Sequence, residues 1–119
     1  MTPGYQNFTA WKKSMELVKA VYVLTSKFPK NEIYGLISQM QRCAVSIPSN
    51  IAEGYRRGSK PEFMRFLRIA YGSGGELETQ LQIVGMLNFV SVKEAQGVTS
   101  LLDEVMKLLN TMIKNPKIS

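Results

Sequence analysis

Apolar residues recur at alternating intervals of three and four along four segments of the chain, and no stretch keeps the two-residue alternation of a strand. In the first segment, about residues 10–27, Trp11, Met15, Val18, Tyr22 and Thr25 form one stripe, with Leu17, Val21, Leu24 and Phe28 beside it, which makes one wide apolar face. Thr9 is placed to cap this helix, Pro29 ends it, and Asn31 is placed to cap the next. The second segment, about 32–55, carries Ile33, Ile37, Met40, Ala44, Ile47 and Ile51 in register. Pro48 interrupts it. A proline there removes one backbone hydrogen bond and presses on the Ala44 carbonyl, which predicts a kink. Ser46, Ser49 and Asn50 surround that point and are expected to hydrogen-bond the loosened backbone or a neighbouring helix rather than a ligand.

The third segment, about 60–90, opens on Ser59, Lys60, Pro61 and Glu62, an SxxE capping pattern with proline in the first turn. Phe63, Leu67, Ala70, Gly74, Leu77, Leu81 and Val84 follow in register along a helix on the order of 45 Å long. Gly72, Gly74 and Gly75 each cost a mid-helix position about 1 kcal/mol relative to alanine. Because Gly74 lies on the stripe itself, it is expected, with Ala70, to let the kinked second helix approach closely. Ser91 to Glu94 repeat the capping pattern before the fourth segment, about 92–114, where Val98, Leu102, Val105, Leu109 and Met112 form the stripe and Pro116 forbids continuation. Short links between long helices force antiparallel neighbours. The expected fold is all-α: residues 1–119 as one domain, an antiparallel up-down-up-down four-helix bundle.

The third helix is apolar beyond its stripe, at Phe66, Ile69, Tyr71, Ile83, Met86 and Phe89. One bundle core does not cover all of these positions, so they are the candidate surface for self-association into a dimer or closed ring.

Composition narrows the chemistry. The 119 residues contain no histidine, which excludes Ser-His-Asp and Cys-His nucleophile systems and the carboxylate-histidine pairs of di-iron bundles. Glu76 and Glu78 are two apart and point to different sides of a helix, so they are not a paired acid-base site. Cys43 is the only cysteine and reads as a small core residue. Gly54 to Lys60 is similar to a phosphate-binding loop, but its spacing is short, its Ser-Lys order is reversed and no strand precedes it. Gly72 to Leu77 fails the dinucleotide fingerprint, since leucine holds the third glycine position and a helix precedes it. No catalytic residue, metal or cofactor is expected. No apolar run is long enough to cross a bilayer and the first eight residues lack the pattern of a secretion signal, so the expected location is the cytoplasm, away from membranes.

Fifteen basic against nine acidic residues give a net charge of +6, which favours polyanionic partners. The charge is densest at the turn between the second and third helices, where Arg56, Arg57 and Lys60 lie beside the free amides of a helix N-terminus. Arg65 and Arg68 extend it along the next turns, and Tyr55 is placed to stack on a base, which makes these six residues the candidate nucleic-acid site. Glu53 lies four residues before Arg57 and Glu62 three before Arg65, so ordinary helix-surface ion pairs account for part of the pattern. Lys12, Lys13 and Lys19 charge the first helix, chiefly for solubility.

The run from Ser46 to Gly54, SIPSNIAEG, preceded by Gln39, Arg42 and Ala44, resembles the bacterial four-helix-bundle family named for 23S rRNA intervening-sequence proteins. The resemblance extends over nearly the whole chain: to Trp11, to Phe28-Pro29 with Glu32 and Gly35-Leu36, to Arg57 and Ser59, to Phe63 and Phe66-Leu67, and to Gly72-Ser73 and Glu76-Leu77-Glu78. It implies a homopentameric ring of bundles without catalytic residues. Similar bundles accompany the reverse transcriptases of diversity-generating retroelements, where a basic pentamer contacts polymerase and nucleic acid. Gly74 departs from the family pattern, which has leucine there.

Two functions of different class follow. The first is an oligomeric accessory protein that binds RNA or DNA, resting on the charge, the basic turn and the resemblance. The alternative is a protein-protein scaffold, such as a subunit that binds a reverse transcriptase, resting on the spare apolar surface of the third helix. An enzyme is the least supported reading.

Overall fold

In a computed structural model the structure describes residues 4–32 and 35–115. Four helices carry the fold: α1 (Thr9–Thr25), α2 (Leu36–Arg56), α3 (Lys60–Leu87) and α4 (Val92–Lys114), with short 3-10 turns at Tyr5–Asn7 and Lys30–Glu32. The architecture is all-α, with no strand among the described residues. Ile33 and Pro116, which figure in the sequence reading, lie outside the described residues.

Each helix forms where its apolar period runs and stops where a specific group stops it. At the start of α1 the cap position is Phe8, with no side-chain cap, so Thr9 is the first helical residue rather than the capping one. Asn31 sits inside a 3-10 turn, and α2 begins at Leu36 behind Gly35. Ser59 accepts a hydrogen bond from the Glu62 amide at 3.3 Å, but the Glu62 carboxylate turns to Arg65, so only half of that capping box forms. The box at α4 is complete: the Glu94 amide donates to Ser91 Oγ at 3.0 Å, and the Ser91 amide donates to Glu94 Oε1 at 2.9 Å. At its other end α3 stops at Leu87, short of Val90, because Asn88 takes the left-handed conformation with φ of 56°.

The apolar faces meet in one core. Leu17, Val21, Met40, Ile47, Ile51, Leu67, Leu77, Val84, Leu102, Val105 and Leu109 are all fully buried. The expected stripes of α2, α3 and α4 point inward, and in α1 the Leu17, Val21, Leu24 and Phe28 stripe does, joined by Thr25 from the stripe beside it. Met15 and Tyr22 of the neighbouring stripe face out, since one helix offers its neighbours a single face and the Leu17 stripe occupies it.

Packing follows chain order: α1 against α2, α2 against α3, α3 against α4, and α4 back against α1. The cross-helix contacts locate the ends. Gln41 Nε2 donates to Thr25 Oγ1 at 3.1 Å, Lys27 pairs with Glu94 at 3.1 Å, Lys13 lies 3.7 Å from Glu104, and Phe28 packs on Phe89 at 5.4 Å between centroids. The start of α1, the end of α2 and the start of α3 thus gather around Tyr5, Phe8, Tyr55 and Phe63.

Two glycines lie where a side chain would meet a neighbouring helix. A Cβ on Gly54 of α2 would stand 2.6 Å from Phe66 Cβ and 3.3 Å from Phe63 Cδ1, so α2 and α3 approach closely there. A Cβ on Gly74 would collide with the Met106 side chain of α4. Gly74 therefore admits α4 and not the proline-bearing α2. The close approach expected at that position belongs to Gly54.

Candidate nucleic-acid interface

The α2–α3 turn reverses the chain over Arg57, Gly58 and Ser59, and Gly58 takes φ of +82°, a conformation that a side chain would strain. The turn leaves Arg56, Arg57 and Lys60 exposed at one end of a molecule about 43 Å long. The cations there are not equivalent. Arg57 Nη2 holds Glu53 at 2.7 Å, its Nη1 lies 3.9 Å from Glu62, and its guanidinium covers the Phe66 ring at 4.9 Å. Arg65 binds Glu62 at 2.9 Å and covers the same ring at 4.5 Å. Glu62 is the shared anion, and the Arg65 hydrogen bond holds its carboxyl below the usual range, with the charges of Arg65 and Arg57 adding to the effect. Arg56 makes no ion pair and lies over the Tyr5 ring at 5.6 Å, and Lys60 and Arg68 make none among the described residues.

Tyr55 is 40% exposed, yet its ring already meets Phe8 at 5.7 Å, Phe63 at 6.1 Å and Tyr5 at 6.3 Å, all edge-on. Of the six candidates, then, Arg56, Lys60 and Arg68 offer unpaired charge, Arg57 and Arg65 are tied to carboxylates, and Tyr55 belongs to an aromatic cluster. The strap formed by Tyr5, Phe8 and Trp11 escaped the sequence reading, because nothing in the spacing of residues 5–11 shows that they fold over the end of α2.

The family-specific run occupies the second half of α2, facing α3. A family model described as 23S rRNA-intervening sequence protein matches residues 6–111. The chain belongs to that family. Among solved structures it is similar to the crystal structure of a protein with unknown function from the S23 ribosomal protein family of Bacteroides thetaiotaomicron VPI-5482. That likeness has a TM-score of 0.79 at 24% identity, covers 88% of this chain and 95% of the other, and speaks for the fold alone. No curated protein matches the chain.

The residues that carry the family pattern have structural work at this seam. α2 runs unbroken through Pro48, which is buried. Asn50 Nδ2 donates to the Ser46 carbonyl at 2.8 Å and to Ser46 Oγ at 2.9 Å, and Ser46 Oγ meets Ser73 Oγ of α3 at 2.8 Å. Beside them Gln39, Arg42, Cys43 and Glu76 help line a polar cavity of about 370 Å³. Behind it Gln80 is buried, donates to Cys43 Sγ at 3.5 Å and leaves its own Oε1 without a partner. Burial pushes the Cys43 thiol up to about 11; the Glu76 carboxylate adds to this and the Gln80 hydrogen bond opposes it.

The six residues assigned to self-association do not form one patch. Phe66 is 6% exposed, roofed by Arg57 and Arg65 and pressed on Gly54, and Phe89 is half-buried against Phe28. Both are corrections to the sequence reading: their cover comes from other parts of the chain. Ile69 and Ile83 are exposed and fourteen residues apart, hence on one face of α3, whereas Tyr71 and Met86 line grooves towards α4. Among the described residues no group of three His, Cys, Asp or Glu side chains could hold a metal ion, and no helix is long and apolar enough to cross a membrane.

Proposed function

We propose that this chain is a non-enzymatic accessory protein of the cytoplasm whose four helices run up-down-up-down, whose copies assemble into a closed ring, and which binds RNA or DNA through its phosphates. The observation that carries the reading is the set of cations without an ion pair among the described residues, Arg56 and Lys60 at the α2–α3 turn and Arg68 about two turns further along α3, in a chain of net charge +6. Short connections and the contacts at both ends of α1 support the antiparallel arrangement. A pentamer is the ring that the family resemblance implies, and a ring repeats each basic turn and makes a weak contact multivalent. Since the nearby rings are engaged within the chain, binding reads the phosphate backbone with little sequence preference.

The test is salt-dependent binding to structured RNA. Replacing Arg56, Lys60 and Arg68 with glutamate should weaken binding and reduce the slope of log affinity against log salt by about 2–3, while Arg57→Gln should change it much less. Unchanged affinity in the triple variant removes the site.

The exposed isoleucines of α3 favour a second reading, a scaffold that binds a protein such as a reverse transcriptase. Recovery of one protein partner after nuclease treatment, with no affinity for RNA, decides for that reading.

A further inference from the structure

We propose that the polar cavity between α2 and α3 binds a small zwitterion of the α-amino-acid class, its carboxylate on Arg42 and its ammonium group on Glu76. The site stands apart from the nucleic-acid reading, which uses the α2–α3 turn. Helical spacing builds it. Gln39, Arg42 and Ser46 lie three and four apart on one face of α2, and Ser73, Glu76 and Gln80 lie likewise on one face of α3. All the lining residues except Cys43 belong to the family pattern, yet neither core packing nor the nucleic-acid contact uses their charges.

The cavity carries one charge of each sign. Arg42 and Glu76 both line it, both are exposed, and neither makes an ion pair among the described residues. A ligand that covers the two must compensate both, because a charge taken from water without a partner is costly. A simple anion would leave Glu76 unmatched and a simple cation would leave Arg42 so. A zwitterion answers both: its carboxylate suits the guanidinium fork, and its ammonium group brings three donors for the Glu76 carboxylate and the Ser73 hydroxyl. Ser73 Oγ meets Ser46 Oγ at 2.8 Å and keeps a lone pair for this contact.

Size and floor narrow the class further. At about 370 Å³ the cavity is at the small end of the range for ligand sites, which suits a single amino acid rather than a nucleotide or a peptide. The floor is one donor short. Gln80 is 5% exposed, its Nε2 donates to Cys43 Sγ at 3.5 Å, and its Oε1 has no partner. An acceptor left unmatched at this depth favours a ligand side chain that ends in N–H or O–H over an aliphatic one.

The test is equilibrium dialysis of the full chain against an equimolar mixture of the common free L-amino acids at millimolar concentration, each quantified on both sides of the membrane. One or more with a polar side chain should be enriched with the protein, and leucine and valine should not. Calorimetric titration with the enriched amino acid should give affinities at least about tenfold weaker in Arg42→Gln and in Glu76→Gln, with helicity by circular dichroism unchanged. Acetate and methylammonium, which each carry one of the two charges, should compete poorly. Gln80→Leu should move the preference towards aliphatic side chains. No enrichment by the wild type overturns the proposal, and undiminished binding in both charge variants overturns the site. Competition by acetate or methylammonium as strong as by the amino acid itself overturns the zwitterion class, and an unchanged preference in Gln80→Leu overturns the role of the floor.

Discussion

The two long seams of α3 solve the same packing problem differently. Against α2, a glycine faces the stem of an aromatic side chain: Gly54 meets Phe66 at its Cβ, an atom fixed to the α3 backbone, and the surrounding seam is tied by the Asn50, Ser46 and Ser73 hydrogen bonds. Against α4, Gly74 meets the far end of Met106, an unbranched thioether with several rotatable bonds. Around it Gly72 and Gly75 line an open groove in which an added Cβ meets nothing within 4 Å. One residue type therefore marks a rigid contact at one seam and an adaptable one at the other, and what decides is whether the neighbour can move.

The sharpest way to break this contrast is Gly54→Ala. Its methyl group would force apart two backbones, so urea unfolding should show a loss of about 3 kcal/mol, offset only in part by the better helix propensity of alanine. A loss under 1 kcal/mol would show that α2 and α3 can separate freely and that the two seams do not differ.

Cys43 reports on the same seam through pH. Its folded thiol is held near 11 against an ordinary value of 9.0, so the folded state keeps its proton while the unfolded chain loses it. Stability from this group is fully present below pH 9 and falls as pH rises towards 11, by an amount on the order of 2 kcal/mol. Comparing unfolding free energies of wild type and Cys43→Ala from pH 8 to 11 isolates this contribution from the lysines and tyrosines, which both proteins share. Parallel curves would mean that the seam is wet.

Much of the fold is legible in the spacing of apolar residues, because the stripes of α2 and α4 are narrow enough to choose one face. α1 was ambiguous for a physical reason: two adjacent stripes are apolar, and only the neighbours decide that Leu17 goes in and Tyr22 stays out. The basic turn was legible as composition, and the Glu53–Arg57 and Glu62–Arg65 pairs follow from helical spacing. What spacing does not show is Arg57 reaching across the turn to Glu62, or Phe66 roofed by two guanidiniums, since both depend on how α2 and α3 meet. The roles of Gly54 and Gly74 were hidden for the same reason. Each lies on its helix's inner side, and only the identity of the atom opposite separates them.

On the open side of α3 the sign reverses. Gly72→Ala and Gly75→Ala should each stabilise the protein by about 0.5–1 kcal/mol, because the helix gains propensity and no atom obstructs the methyl group. Thermal and urea unfolding of the single and double variants check this. A loss at either position would mean that something packs into the α3–α4 groove in solution, such as another copy.

The smallest effect should come from Gly74→Ala, and it tests the contrast at its centre. Alanine gains about 1 kcal/mol of helix propensity, while Met106 must swing its sulfur and methyl out of the way, which costs a comparable amount, so the net change should be within a few tenths of a kcal/mol. Replacing Met106 with alanine first should unmask the gain: in that background Gly74→Ala should stabilise, because the atoms that collided are gone. A non-additive pair of this kind identifies the Met106 side chain as the adaptable partner. If Gly74→Ala instead costs as much as Gly54→Ala, and Met106→Ala does not relieve it, then the backbones themselves are in contact there and α3 is held as rigidly by α4 as by α2.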